Sequence, residues 1–116
     1  MGQLPNGKIS KKGGIPMHIL VLESSTTSAK AMLYDTEKRT YDVETKIYEK
    51  VYNDVGIHDA EKVFEETAAL GKALARGNKI DMISLGGTWH SVMLCDKDMK
   101  PQTPVYLWSY TGAADL

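Results

Sequence analysis

A run of small, mostly hydroxylated residues separates two apolar segments near the start of the chain. It spans Ser24 to Ser28 and reads S-S-T-T-S, with Glu23 directly before it and Lys30 two residues after it. Small side chains let a backbone approach an anion, and hydroxyl and N–H groups donate to phosphate oxygens. A lysine adds a point charge, and a carboxylate can hold a hydrated Mg²⁺. The pattern favours a phosphate-binding hairpin, although a Ser/Thr run is also ordinary turn chemistry.

A second candidate site, Gly86 to Ser91, reads G-G-T-W-H-S and follows an apolar segment, Ile80 to Leu85. In α/β sheets ligands bind beyond the carboxyl ends of the strands, and paired glycines permit close approach of the backbone. Trp89 offers a flat face to a sugar ring, and His90 offers a hydrogen-bond donor or acceptor. The alternative is a tight turn in which both rings only pack, and these residues taken alone favour it somewhat.

The elements that must position these residues are mostly strands. Apolar runs and alternation predict strands over His18–Leu22, Lys30–Tyr34, Thr40–Val51, Ile80–Leu85, Ser91–Asp96 and Val105–Trp108. Asp59 is a suitable N-cap for a helix that ends after Arg76, at Gly77-Asn78. The first three strands form a meander, and the helical crossover predicts that the next strand pairs in parallel with an earlier one. We therefore expect an α/β fold with a mixed sheet, in the order βββαβ, and a helix covering at least one face.

Several residues are predicted to be structural. The helix face that packs on the sheet comprises Ala60, Val63, Phe64, Thr67, Leu70, Gly71 and Leu74. Tyr41, Tyr48 and Tyr52 are predicted as aromatic residues on the sheet surface. His18 opens a strand and His58 lies in a loop, and with His90 they show no metal-ligand spacing.

Composition limits the class of protein. The chain has 116 residues, enough for one modest core, and its net charge of -1 gives no reason to expect nucleic acid or an anionic membrane as a partner. No apolar run approaches the roughly 20 residues of a membrane span. A single cysteine, Cys95, excludes an internal disulfide, suits the cytoplasm and is predicted to be a buried structural thiol.

Residues 1–16 are predicted to form a disordered leader because they are rich in glycine and proline and lack apolar periodicity. Two origins stay open. The segment could be a natural flexible tail or a tag remnant. Alternatively, Lys12-Gly13-Gly14 could be a bacterial ribosome-binding site read in frame, which would make Met17 the natural start.

Three patterns, in order, resemble the N-terminal end of the FGGY carbohydrate kinases, the family of gluconate, xylulose and glycerol kinases. The family opening, D-x-G-T-T-S-x-K/R-x-x-L-F/Y-D, stands here as E-S-S-T-T-S-A-K-A-M-L-Y-D over Glu23 to Asp35. The family's S-G-Q-M-H-G followed by D-x-x-G-x-P resembles Gly86 to Ser91 and then Asp96 to Pro101. Its L-W-x-D-x-R resembles Leu107 to Gly112.

The resemblance implies the ribonuclease H-like fold of actin, hexokinase and Hsp70 ATPase domains, here as an incomplete domain over residues 17–116. It implies that the full-length parent uses ATP and Mg²⁺ to phosphorylate a sugar or polyol hydroxyl. The implied site residues are Thr26, Thr27, Ser28 and Lys30 for phosphate, Glu23 for Mg²⁺ through water, and Thr88, Trp89, His90 and Trp108 for the sugar.

Five positions depart from the family patterns. Glu23 replaces Asp, Ser25 replaces Gly, Thr88 replaces Gln, and Tyr110 and Gly112 stand where the sugar-binding Asp and Arg are expected. These departures leave the sugar undefined. Those at Glu23, Ser25, Tyr110 and Gly112 favour an alternative, a non-catalytic nucleotide- or sugar-binding or regulatory domain on the same fold.

The same resemblance implies that the family's catalytic Asp and its adenine-binding elements lie beyond this chain. In the family, ATP binds in the cleft between two domains. Phosphoryl transfer depends on positioning and charge neutralisation from both sides of that cleft. We therefore expect no catalytic residue in this chain and no kinase activity from it alone. An incomplete domain also leaves core surface and a sheet edge uncovered, which predicts self-association.

Overall fold

The computed structural model describes residues 14–50 and 56–114. The elements are β1 (His18–Ser24), β2 (Ser28–Asp35), β3 (Thr40–Ile47), β4 (Ile57–His58), α1 (Ala60–Ala75), β5 (Met82–Gly87) and β6 (Val105–Tyr106). Most of the predicted leader lies outside the described residues, as do Val51 and Tyr52. Helix α1 has 16 residues, and no helix in the described ranges combines the length and apolarity that a membrane crossing needs.

A four-stranded mixed sheet has the strand order β3-β2-β1-β5. Strands β1 and β2 pair antiparallel, β2 and β3 pair antiparallel, and β5 lies parallel to β1 on its other side. The meander and the parallel pairing after a helical crossover are therefore confirmed. A separate two-stranded sheet pairs β4 with β6 in antiparallel orientation.

Helix α1 packs on β1, β2 and β3 and forms the core with the β1–β2 hairpin. Leu20 faces Leu33 across the hairpin, and both are buried. Gly71 permits the close approach of the helix, because a Cβ there would lie only 2.8 Å from Leu22 Cδ2. The helix begins as predicted at Asp59, whose side chain accepts a hydrogen bond from the Lys62 N–H at 3.0 Å.

Parts of both faces of the four-stranded sheet are exposed to solvent. Register places Ile83 and Leu85 of β5 on the α1 side, opposite Leu20 and Leu22, yet Leu85 is 78% exposed. On the other face, the side chains of Tyr41 and Val43 are about half exposed. The solvent-facing character predicted for the third strand is thus observed, since every residue of β3 is exposed.

Three sequence predictions in this region are wrong. Ser91–Asp96 forms isolated bridges and not a strand, because the Thr103 hydroxyl and the Asp96 carboxylate accept the N–H groups of Leu94 and Lys100. Phe64 lies at the margin of the helical apolar stripe and is exposed. Cys95 is half-buried and not buried.

Two further predictions fail where the chain approaches the Ser/Thr turn. Tyr48 is buried and not on the sheet surface, because β3 ends at Ile47 and the next side chain turns inward. His58, predicted in a loop, lies in β4 and is also buried.

Candidate functional site

The Ser/Thr turn connects β1 and β2 and is closed from within. The Ser25 N–H donates to the Ser28 carbonyl at 2.9 Å, and the Ser25 hydroxyl donates to the same carbonyl at 2.9 Å. The hydroxyls of Ser25 and Ser28 share a further hydrogen bond of 3.0 Å. Ser25 therefore holds the turn together, and its hydroxyl is already hydrogen-bonded within the turn.

The N–H groups of Thr26 and Thr27 are available to a ligand. Neither donates a hydrogen bond to any part of the chain that the structure describes. Thr27 is exposed and Thr26 is half-buried, whereas Ser28 is buried and already hydrogen-bonded. Unpaired successive N–H groups in a turn form a concavity that suits an anion. Of the predicted phosphate ligands, the two threonines are therefore better placed than Ser28.

Charges of opposite sign flank the turn. Glu23 at the end of β1 is the direct cross-strand partner of Lys30 on β2. Both side chains are exposed, and within the described residues neither belongs to an ion pair. The lysine can approach a phosphate, and the carboxylate can accept from water or hold a cation.

Two aromatic residues to which the sequence analysis assigned no role in the site lie beneath the turn. His58 is 3% exposed, and its Nε2 lies 2.9 Å from the Thr26 carbonyl oxygen. The Tyr48 N–H donates to the Thr27 carbonyl at 3.0 Å, and the Tyr48 hydroxyl shares a 2.9 Å hydrogen bond with Ser24.

The two rings also contact each other. The Tyr48 and His58 centroids are 5.2 Å apart in an edge-to-face arrangement. Burial raises the pKa of the Tyr48 hydroxyl, so the hydroxyl keeps its proton. The sequence places His58 directly before the Asp59 helix cap, but no local signal indicates its contact with the turn.

A cavity of about 290 Å³ opens beside this cluster, at the carboxyl ends of β1 and β5. Its polar lining comes from Ser24, His58, Thr88 and Ser91, and Val63 and Leu107 are among its apolar walls. The Thr88 and Ser91 hydroxyls lie 3.3 Å apart. The volume and the mixed lining suit a small polyhydroxylated ligand. A larger cavity of about 440 Å³, on the far side of His58, lies away from the β1 and β5 ends.

The other residues predicted to bind the sugar do not line this cavity. Trp89 is 79% exposed and contacts the His90 ring edge-to-face at 6.3 Å, and Trp108 is also exposed. His90 has a left-handed backbone conformation with φ 58°, which is uncommon for a residue other than glycine. The structure therefore brings Thr88 to the cavity and leaves both tryptophans and His90 on the surface.

The third sequence pattern ends in an aromatic contact. The Tyr110 ring packs against Tyr106 with centroids 4.8 Å apart. A Cβ at Gly112 would overlap the end of the Tyr110 side chain, so a larger residue there would have to displace that ring. Where the resemblance leads one to expect polar sugar ligands, this chain has a packed tyrosine pair.

The donor set is compatible with a weakly held hydrated cation and not with a metal bound by protein groups alone. Glu23 is the carboxylate at the turn, and no group of three His, Cys, Asp or Glu side chains in the described ranges could bind a metal ion. Mg²⁺ is commonly held by one or two carboxylates, with waters and phosphate oxygens completing its shell. Glu23 fits that mode.

Comparison with known proteins gives fold-level similarity. No protein-family model matches the sequence, and no curated protein matches it. Among solved structures, gluconate kinase from Lactobacillus acidophilus matches with a TM-score of 0.71 and 23% identity, covering 84% of this chain and 20% of the kinase. Ligand-bound xylulose kinase from Lactobacillus acidophilus matches with a TM-score of 0.67 and 24% identity, covering 78% of this chain and 19% of the kinase.

The chain thus spans about a fifth of the length of these two solved kinases. Their similarity confirms, at the level of the fold, the resemblance to carbohydrate kinases that the sequence patterns indicated.

Proposed function

We propose that this chain is the N-terminal portion of an FGGY-type carbohydrate kinase, with an incomplete ribonuclease H-like domain. The observation that carries the proposal is the Ser/Thr turn between Glu23 and Lys30, where two N–H groups have no partner among the described residues. The similarity in fold to two sugar kinases supports it, as does the order of the three sequence patterns. The lone cysteine supports the cytoplasm as its location.

In the full-length parent, Thr26 and Thr27 would donate to the phosphates of ATP, and Lys30 would neutralise their charge. Glu23 would hold Mg²⁺ through water, and the bound ion would supply charge neutralisation on the transferring phosphate. Ser28 would act within the turn, since it is buried and hydrogen-bonded to Ser25.

A sugar or polyol would occupy the cavity beside Thr88. The hydroxyls and the His58 ring that line it can exchange hydrogen bonds with a polyol, and the apolar wall can contact its carbon skeleton. Trp89, His90 and Trp108 would approach the sugar from the exposed side. The sugar would then lie next to the phosphate turn, since Ser24 lines the cavity and ends β1 at that turn.

The 116-residue chain alone is proposed to transfer no phosphate. By the resemblance, the base that deprotonates the sugar hydroxyl and the second wall of the cleft are not among its residues. Incubating the purified chain with Mg-ATP and a panel of sugars should therefore produce no ADP above background. Sugar-dependent ADP formation that copurifies with the chain would contradict this part of the proposal.

The phosphate site is tested by calorimetric titration of the chain with Mg-ATP. Lys30→Ala should weaken binding about tenfold, the scale of one charge-assisted contact. Lys38→Ala removes an exposed lysine from the turn between β2 and β3, at the opposite end of β2, and serves as the matched control. Equal affinities for the two variants would contradict a phosphate site at the turn.

A second candidate function is a non-catalytic nucleotide- or sugar-binding or regulatory domain on this fold. The Tyr110–Tyr106 contact favours it, because Tyr110 stands where a kinase would place a polar sugar ligand and instead packs against another ring. The downstream coding sequence discriminates between the two functions. A second glycine-rich ATPase half with a catalytic Asp supports the kinase.

A further inference from the structure

The hydrogen bond between His58 and the Ser/Thr turn orients the whole peptide unit whose carbonyl it contacts. The Thr26 carbonyl and the Thr27 N–H belong to one planar trans peptide unit and point in opposite directions. His58 Nε2 lies 2.9 Å from the Thr26 oxygen. Holding that oxygen toward the interior therefore turns the Thr27 N–H outward, where it has no partner within the described residues.

The position of the proton on Nε2 follows from the partner of that nitrogen. A carbonyl oxygen only accepts, so Nε2 must carry the proton that it donates to Thr26. The ring is held in place because it is 3% exposed and contacts the Tyr48 ring edge-to-face. Tyr48 holds the next carbonyl, that of Thr27, through its own N–H.

We propose that His58 is a positioning residue that aims the Thr27 N–H at a bound phosphate oxygen. This role rests on the proposed function. It differs from an ordinary packing role because the hydrogen bond sets the direction of one donor. The same side chain lines the 290 Å³ cavity, so it connects the phosphate turn with the predicted sugar site.

The first test needs no variant. Nuclear magnetic resonance of the ¹³C,¹⁵N-labelled wild-type chain should show His58 with the proton on Nε2 and a coupling from that nitrogen to the Thr26 carbonyl carbon. A neutral ring that carries its proton on Nδ1 would overturn the proposal.

The second test separates aiming from packing with three variants. His58→Phe keeps an aromatic ring against Tyr48 and removes the donor, whereas His58→Gln restores an N–H donor at similar reach. In His58→Phe the order parameter of the Thr27 amide should fall from about 0.85 to below about 0.6, and His58→Gln should restore it. Leu74→Ala, at the other end of α1, controls for a general loss of stability and should leave the Thr27 amide rigid.

Titration with Mg-ATP separates this proposal from the proposed function. His58→Phe should bind about tenfold more weakly than the wild type, and His58→Gln should recover most of the affinity. If the wild type binds and His58→Phe binds equally well, the positioning role is wrong and the phosphate site stands. If the wild type binds no Mg-ATP, the proposed function and phosphate as the ligand are both overturned, and the amide measurements then report on the turn alone.

Discussion

The β1–β2 hairpin and strand β5 have similar apolar sequences but very different surroundings. Leu20 and Leu33 in the hairpin are buried beneath α1, whereas Leu85 on β5 faces the same side of the sheet and is exposed. The difference arises because α1 packs on β1, β2 and β3. Strand composition therefore specifies that a strand forms, and the position of the covering helix determines whether that strand contributes to the core.

The largest expected effect is the removal of a core side chain from the hairpin. Leu33→Ala should lower the free energy of unfolding by about 2–5 kcal/mol, because it leaves a cavity beneath α1. Leu85→Ala makes the same chemical change at an exposed position and should cost under about 0.5 kcal/mol. Urea denaturation of both variants measures the contrast, and equal losses would show that β5 is covered in solution.

The next effect tests how closely α1 approaches the sheet. Gly71→Val should lower the free energy of unfolding by about 1–3 kcal/mol, since the new side chain would overlap Leu22 and force α1 outward. Ala73→Val adds a β-branched residue at an exposed position of the same helix, where only a small loss of helix propensity is expected. Equal urea midpoints for the two variants would contradict a close contact between Gly71 and the sheet.

A third prediction concerns association through β5. We propose that a second copy of the chain pairs along the outer edge of this strand. Residues 82–87 carry no charge, so two copies can approach there without repulsion. Sedimentation velocity should show concentration-dependent dimers that Leu85→Lys abolishes and Ile47→Lys, on the exposed β3 edge, retains. A wild type that stays monomeric at high concentration would contradict this.

The smallest expected effect is a pH dependence of the folding stability, which arises from two carboxylates near the amino end of β1. The His18 N–H donates to the Asp81 carboxylate at 2.9 Å and holds the pKa of that carboxyl below its ordinary value of 3.8. Hydrogen bonds from the backbone N–H groups of Lys38 and Glu37 likewise lower the pKa of Asp35.

Both carboxylates therefore stabilise the fold above the ordinary carboxyl pKa, and this contribution is lost as the pH falls through the lowered folded values. We expect the denaturation midpoint to decrease below about pH 4, and Asp81→Asn to flatten that decrease. Asp42→Asn, on the exposed strand β3, should leave the decrease unchanged.

The sequence predicted the sheet well because its signals are local. Alternation, the Asp59 cap and the Gly77 stop are each set by neighbouring residues, and all three correspond to observed elements or boundaries. The failure at Ser91–Asp96 arises where a side chain from elsewhere in the chain changes the outcome, whereas Phe64 lies at the margin of its own helix stripe. Thr103, nine residues away, accepts the Leu94 N–H that a strand partner would otherwise accept.

Part of the candidate site was predictable because its signals are also local. The Ser/Thr turn and its flanking charges are contiguous in sequence, so their chemistry could be inferred directly. His58 could not be found in this way, because its contact with Thr26 joins residues 32 positions apart. Only the packed fold brings this ring beneath the turn.

The pairing of β4 with β6 has a consequence for the order of assembly. The pair joins His58 to Val105 and Ile57 to Tyr106, across the whole of α1 and β5. Closing so long a loop for a ladder of two residues per strand recovers little free energy, so we expect the pair to form late in folding and open early under native conditions. Amide hydrogen exchange should therefore be faster at Leu107, which is bonded to Gly56, than in the β1–β2 hairpin. The Ser/Thr turn would then form early in folding with the β1–β2 hairpin, and His58 would reach its hydrogen-bonding position beneath the turn in a late step.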